Sequence, residues 1–428
     1  MTNRRSFIQT SAGLSALAFG HVNSLPAATT TDRISLGFIG VGKMGRGHLK
    51  KFLSNDGVQV VAVCDVVKER REDAANLVTQ QYAKQAKSGT FGGVRSFNDF
   101  RELLQLDGID AVVIATPDHW HTIPCRLAAR AGKHIYCEKP LTHNIAEGRQ
   151  LVSDVSQAGV IFQTGSQQRS EFGGHFRRAV EAIWNGRIGQ VKRVRIGVGN
   201  PAVPCDLPTE EIPAGTDWDT WVGPAPSRGY NQILCPQGIH DHFPHWRNYQ
   251  EFAGGGLADM GAHHFDIAQW ALKMDTLGPT KIIPPTDSQA VKGLRFVYAN
   301  GIEMIHNEFE PDTKADCVFE GTEGMILVSR SGISSRPGSI LEEPLGASAQ
   351  RVMESSNHHA NWLAAIRGGT QTICPAEVGH RSAAICHLAN IGYRLRRELN
   401  WDPQQERFVG DVEADKLLSR ESRAPWNI

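Results

Sequence analysis

The chain has 428 residues, 40% hydrophobic and 21% charged, an ordinary globular balance with room for two cores. Basic and acidic side chains number 45 each, so no positive field exists to hold a polyphosphate backbone, which excludes a general nucleic-acid binder. The eight cysteines (64, 125, 137, 205, 235, 317, 374, 386) contain no C-x-x-C pair. That spacing excludes a zinc ribbon or a dithiol redox motif and reads as buried free thiols.

The chain begins Thr2-Asn3-Arg4-Arg5-Ser6-Phe7-Ile8, then runs uncharged through Ala, Leu and Gly to Phe19, with small residues at Ala27-Ala28. Paired arginines ahead of an apolar stretch too short to span a bilayer are similar to a twin-arginine export signal. Residues 1–30 are therefore set apart as a leader. The mature protein is expected in the periplasm, without a membrane span.

The organising stretch follows. The short apolar run from Ile34 ends at Gly40, Gly40-x-Gly42-x-x-Gly45 comes next, and Lys43–Leu53 reads as a helix. Strand, glycine turn and helix N-terminus in succession suit a pyrophosphate, because free backbone N–H groups and the helix dipole converge there. Gly40 makes the turn, Gly42 lets the diphosphate approach, and Gly45 lets helix and strand pack closely. Lys43 and Met44 open the helix and join the cofactor-binding set. Val58–Cys64 is a second apolar run ending at Asp65, about 20 residues past Gly45, where a carboxylate reaches the ribose 2′-OH of an adenine dinucleotide. Asp65 favours NAD over NADP, although Lys68, Arg70 and Arg71 nearby leave NADP open.

Apolar strands at 109–115, His134–Cys137 and 160–164 alternate with helical stretches at 118–131 and 144–158. The alternation predicts an α/β, doubly wound parallel sheet over residues 31–163. Two strands end in Thr116-Pro117 and Lys139-Pro140. Proline holds the preceding residue extended, so Thr116 and Lys139 project at the carboxyl edge where a ligand lies, with Glu138 beside them.

Residues 164–428 follow a different grammar, predicting an α+β substrate and oligomerisation domain with a large open antiparallel sheet. A helix at 172–185 precedes a strand at 191–199 and a Pro- and Trp-containing loop region at 201–226. Then come a helix at 261–274 and short strands at Lys281–Ile283, 291–298, 301–309, 315–319 and Met325–Ser329. Helices at 357–367 and 378–398 close the pattern. If the segment from Asp259 is also helical, Asp259, His263, Asp266 and Trp270 share a face, and a carboxylate one turn from a histidine can orient the imidazole. Gln168, Arg169, Trp246 and Arg247 are nominated for sugar contacts, since guanidinium groups bond vicinal hydroxyls and indoles stack on sugar faces. His240, His242 and His245 with His263-His264 do not amount to a metal site, because zinc needs about four converging ligands and nothing in the spacing brings them together.

With these stretches in hand the chain closely resembles the glucose–fructose oxidoreductase and inositol dehydrogenase family (Gfo/Idh/MocA). The matching segments are Gly37–Gly45 (Gly-Phe-Ile-Gly-Val-Gly-Lys-Met-Gly), Ala115-Thr116-Pro117-Asp118-His119-Trp120-His121, Glu138-Lys139-Pro140-Leu141 and Asp259-x-Gly261-x-His263. The Ala-His-His-Phe-Asp-Ile-Ala-Gln-Trp run at 262–270 looks especially similar to an exported subset. The resemblance implies catalytic positions at Lys139, Asp259 and His263, with Thr116 and His121 near the cofactor, and a homodimer or homotetramer built on the second sheet. It implies hydride transfer between NAD and a secondary alcohol of a sugar, cyclitol or glycoside. On this reading His263 is the base, oriented by Asp259, and Lys139 holds the reacting oxygen. Some exported relatives instead cleave glycosides by transient oxidation at C3, elimination and re-reduction, and that alternative stands beside the first. A sensing protein without chemistry is disfavoured, because the lysine, aspartate and histidine are retained together. The twin-arginine route carries folded proteins, so the cofactor is expected to be tightly held.

Overall fold

Six strands, β1 (Ile34–Ile39), β2 (Val58–Cys64), β3 (Arg95–Phe97), β4 (Ala111–Ile114), β5 (His134–Cys137) and β6 (Phe162–Thr164), form one sheet. The computed structural model describes residues 33–309 and 313–427, so the leader expected at residues 1–30 lies outside the described residues. Every pairing in the sheet is parallel, and the order 3-2-1-4-5-6 is the doubly wound one. Helices cover both faces, which is why Val112, Val113, Ile135 and Tyr136 are all fully buried and the strands read as continuous apolar runs.

The Lys43–Leu53 helix starts directly after Gly42. The Ile145–Ala158 helix is started by Asn144, whose side chain accepts the Glu147 amide. The stretch expected as one helix at 118–131 divides into a single 3₁₀ turn, Asp118–Trp120, and a helix, Thr122–Arg130. Tertiary contacts impose the break: the Trp120 indole N–H donates to the carbonyls of Thr220 and Trp221. A helix at Lys68–Gln81 was not legible, since only Arg70, Ala74 and Val78 are buried and its apolar stripe is too sparse to show a period.

The second sheet has nine strands: β7 (Val191–Ile196), β8 (Lys281–Ile283), β9 (Arg295–Val297), β10 (Glu303–His306), β11 (Cys317–Gly321), β12 (Met325–Ser329), β13 (Gly332–Arg336), β14 (Leu399–Asp402) and β15 (Arg407–Phe408). Their order is 13-12-11-7-10-9-8-14-15. The pairings are antiparallel except β7 with β10, so the sheet is mixed. Parallel neighbours need a crossover, and the chain between Ile196 and Glu303 supplies it.

That crossover carries the Gly255–Ala271 helix, which begins six residues before the expected start. Glycines permit the early start. A Cβ on Gly199 would meet the Gly256 Cα at 2.7 Å, so helix and strand end touch backbone to backbone. Residues 201–253 form a strap with its own core of Trp218, Trp221, Tyr230, Leu234, Trp246 and Phe252 packed on Val67. Backbone bonds pin it to the first domain: the Lys68 amide donates to Gly215 O at 2.8 Å and the Asp217 amide to Val66 O at 3.0 Å.

Late segments return to the first sheet. Trp362 packs edge-on against Phe52 at 5.8 Å between ring centres, and the Trp426 ring lies 4.7 Å from Trp120. The Ala376–Leu395 helix packs on both Gly255–Ala271 and Ile145–Ala158. All eight cysteines are free thiols, seven of them buried.

Candidate active site

The carboxyl ends of β1, β4 and β5 open into a cleft of about 570 Å³, walled on the far side by the Gly255–Ala271 helix and the strap. Gly40, Gly42, Lys43, Met44 and Asp65 line one end, and Thr116, Pro117, Glu138 and Lys139 the middle. Asp259, His263, Trp246 and Arg247 lie on the opposing wall. Gly45 stands behind the turn, where a Cβ would sit 2.0 Å from the Gly40 carbonyl oxygen. Gly40 takes φ +82°, a left-handed conformation that leaves its backbone against Ala115 and Thr116. Gly42 faces open space, its nearest neighbour for a Cβ being 4.0 Å away.

This cradle suits a dinucleotide. The Lys43–Leu53 helix has no side-chain cap, so its first amides point unclaimed toward the turn. Thr116 Oγ1 is buried at the strand end without a partner among the described residues. Asp65 is fastened at the rim: its two carboxylate oxygens accept the Val41 and Val67 amides, each at 2.9 Å. The basic residues around it are engaged elsewhere. Arg70 donates to the carbonyls of Gly238 and Pro236, Arg71 to Asp65 O and Asn98, and Lys68 pairs with Glu72. A carboxylate with its cations occupied fits a free ribose 2′-OH better than a 2′-phosphate.

At the centre, Lys139 Nζ donates to Asp259 Oδ1 at 2.7 Å and to the Asp259 carbonyl at 2.8 Å. Arg247 Nε lies 3.5 Å from the same carboxylate. Burial would raise the Asp259 carboxyl, but these two cations outweigh it and hold the group below its usual range. The orienting bond expected from Asp259 to His263 is not formed, because Lys139 takes the carboxylate. His263 Nδ1 has no hydrogen-bond partner among the described residues, and burial, reinforced by Lys139 and Arg330, pushes the imidazole well below its ordinary pKa. His263 is therefore a neutral, unspent base.

Glu138 is held from behind. His48 Nε2 lies 2.8 Å from its Oε1, Gln167 donates to the same oxygen at 2.8 Å, and the Lys139 amide donates to Oε2 at 3.2 Å. Burial alone would raise this carboxyl; the bonds to His48 and Gln167 and the neighbouring Lys139 ammonium bring it to about 2. His121 lies outside the cleft wall. Its ring spans Pro140 O at 2.7 Å and Thr116 O at 2.9 Å, tying the two proline-closed strand ends together.

Two family models match this chain. Residues 34–166 match the oxidoreductase family, NAD-binding Rossmann fold (GFO_IDH_MocA), and residues 202–428 match the oxidoreductase family, C-terminal alpha/beta domain (GFO_IDH_MocA_C2). The chain belongs to the Gfo/Idh/MocA oxidoreductase family. It is 30% identical over 169 residues to a myo-inositol 2-dehydrogenase from Thermotoga maritima, covering 40% of this chain and 46% of that protein. It is 34% identical over 169 residues to a glycosyl hydrolase family 109 protein from Shewanella pealeana, covering 35% and 36%. The chain thus spans less than half the length of these curated relatives. Among solved structures, the WlbA dehydrogenase from Bordetella pertussis, in complex with NADH and UDP-GlcNAcA, aligns over 86% of this chain and 99% of its own, with a TM-score of 0.58 and 18% identity. The aldose-aldose oxidoreductase from Caulobacter crescentus, complexed with glycerol, aligns over the same shares with a TM-score of 0.57 and 16% identity. Both likenesses are of fold.

Against this Gfo/Idh/MocA frame, two nominated sugar contacts do not face the cleft. Arg169, 2% exposed, makes paired bonds of 2.7–2.9 Å to Asp266 and Asp275 and lies over the Trp270 ring. It is a buried charge anchor, because a guanidinium this deep needs carboxylates on both edges. Gln168, also buried, holds Arg330 through its Oε1 at 2.9 Å. Trp246 and Arg247 do line the cleft, with the guanidinium 4.2 Å above the indole. The His240 and His242 rings lie 4.3 Å apart and tilted, and no group of three or more His, Cys, Asp or Glu among the described residues is arranged to hold a metal ion.

Three cleft residues escaped the sequence reading. His48 sits one turn beyond the glycine motif on the buried face of its helix, where only its place after Gly45 offered a signal. Asp118 follows Pro117 directly and so shared a quoted motif. Burial pushes its carboxyl up to about 8, against the opposing pull of Arg247 and Lys139. Arg330 lies far along the chain at a hairpin tip, and nothing local marked it.

Proposed function

We propose that this protein is an NAD-dependent oxidoreductase acting on a secondary alcohol of a sugar, cyclitol or glycoside. The observation that carries the reading is the meeting of Lys139, from the end of β5, with Asp259 and His263 across one cleft beside an uncapped glycine turn. A bound nicotinamide supplies the hydride acceptor. The chain supplies the rest. Lys139 has three N–H donors, two of them directed at Asp259, which leaves one for the alcohol oxygen. Its charge stabilises that oxygen as negative charge develops. His263, neutral and unpartnered, takes the hydroxyl proton. Asp259 fixes the ammonium in place, and Glu138, held by His48, lines the same cleft and accepts the Lys139 backbone amide.

Assays of a sugar and cyclitol panel, read by NADH absorbance, test this. Lys139→Ala and His263→Ala are each expected to lower turnover about 10²–10⁴-fold while the fold survives. Unchanged turnover in both would remove the mechanism.

A glycosidase reading has its own support. The match to a glycosyl hydrolase family 109 protein points to it, and a carboxyl kept protonated near neutral pH at Asp118 is a candidate acid for a leaving aglycone. Nitrophenyl glycosides separate the two readings: aglycone release without net NADH selects the second. We further propose export through the paired arginines at Arg4-Arg5, retention of NAD during purification, and a homodimer or homotetramer through the open face of the nine-stranded sheet. The strap supports retention, since Lys43 at the glycine turn pairs with Asp241 at 3.2 Å and Arg70 grips the strap backbone. Absorbance and mass spectra of the purified protein, and its mass in solution, check these points.

A further inference from the structure

Arg330 occupies the two-residue turn between β12 and β13 and reaches the cleft beside His263 and Met260. Three contacts aim it. Its backbone amide donates to Asp316 Oδ2 at 3.2 Å, its Nε donates to Gln168 Oε1 at 2.9 Å, and its guanidinium carbon lies 4.8 Å from the Phe172 ring centre. Gln168 is buried and Phe172 partly so, which makes this a built support rather than a chance surface pose.

The Nε and the stacked face are thereby used, while the four N–H donors on the two Nη atoms find no protein acceptor among the described residues. No carboxylate among them pairs with Arg330 within 4.0 Å, whereas Lys139 and Arg247 both lean on Asp259. The carboxylates nearby are Asp259, which holds Lys139 and Arg247, Glu138, which holds His48, Glu171, and Asp316, which takes the Arg330 backbone amide and pulls on its guanidinium from beyond ion-pair distance, while Asp118 is protonated near neutral pH. A half-desolvated guanidinium with an open fork lacks a partner, and its geometry matches a planar or tetrahedral oxyanion with two parallel bonds.

We propose that Arg330 binds an oxyanion carried by the substrate, so that the preferred sugar is acidic, bearing a carboxylate or a phosphate away from the carbon being oxidised. This rests on the oxidoreductase reading and narrows its substrate class. The anion bonds the Nη pair, and the reacting hydroxyl lies toward Lys139 and His263.

The test uses the full chain loaded with NAD and matched sets of neutral sugar, uronate and 6-phosphate in the gluco and galacto series. Binding is read by calorimetry and turnover by NADH absorbance. At least one acidic member is expected to bind and react about tenfold or more better than its neutral partner, as a charge-assisted bidentate bond implies. Uronate preference identifies a carboxylate and 6-phosphate preference a phosphate. Arg330→Gln is expected to lose the preference through Kd and KM, and Arg330→Lys to keep part of it. Neutral sugars matching both acidic forms in the wild type, or the full preference surviving in Arg330→Gln, overturns the inference. The wild-type comparison stands even where Arg330→Gln fails to fold. Preferential acidic binding without any NAD reduction would overturn the oxidoreductase reading alone.

Discussion

Arg169 shows how one residue type serves two ends. The guanidinium that suits vicinal hydroxyls also suits two buried carboxylates, and depth decides between them. With Asp266 wholly buried against it, replacing Arg169 by Met strands a charge in the interior. The expected loss is about 3–5 kcal/mol in denaturant unfolding, with KM for sugar unchanged in the folded fraction. A raised KM without lost stability would return Arg169 to the binding site. Asp118 carries the reverse imbalance. Its carboxyl stands at about 8 in the fold against an ordinary 3.8. Below the ordinary value both states hold the proton and the group contributes nothing. Between the two values the unfolded chain releases it while the folded chain keeps it, so stability falls as pH rises until both are ionised. Asp118→Asn should therefore gain on the wild type as pH climbs from about 4 to about 8, by on the order of a few kcal/mol, in melts across that range. A pH-independent difference would show that the group is not displaced.

The elements that hold the site work by close approach. Between the Gly45 and Gly40 backbones there is no room for a side chain, since a Cβ would stand 2.0 Å from a carbonyl oxygen. Gly45→Ala is expected to displace the helix start, weaken NAD about tenfold or more and destabilise the fold by about 1–3 kcal/mol, read by cofactor titration and thermal melts. Wild-type affinity in that variant would mean the turn does not seat the diphosphate. This element was legible from spacing alone, because a glycine turn between strand and helix is a local device. So were β2, β5, β8 and β12, whose apolar runs are dense. The Lys68–Gln81 helix and strands β13 and β15 were not, since they bury few side chains on a regular period, and β14, although Leu399 and Trp401 alternate inward, is only four residues long. The expected helix at 118–131 broke because indole bonds to the strap outweigh local propensity.

At the scale of the molecule the two domains share cores. Trp362, fully buried, closes the interior around Phe52 and Tyr136 from far downstream in the chain. Trp362→Ala is expected to cost about 3–5 kcal/mol and to lower the single calorimetric transition of the whole chain. Two separate transitions, with only one displaced, would show that the domains melt independently. The sequence by itself determined the doubly wound sheet, the glycine turn, Asp65 at the rim and Lys139 at a strand end, because each follows from short-range periodicity, glycine and proline. Only the tertiary structure decided that Asp259 serves Lys139 rather than His263, that Arg169 is an anchor, and that Arg330 faces the cleft. The first two outcomes depend on which charges burial brings within about 4 Å of one another, and the third on how a distant hairpin packs against the cleft; no spacing along the chain encodes either.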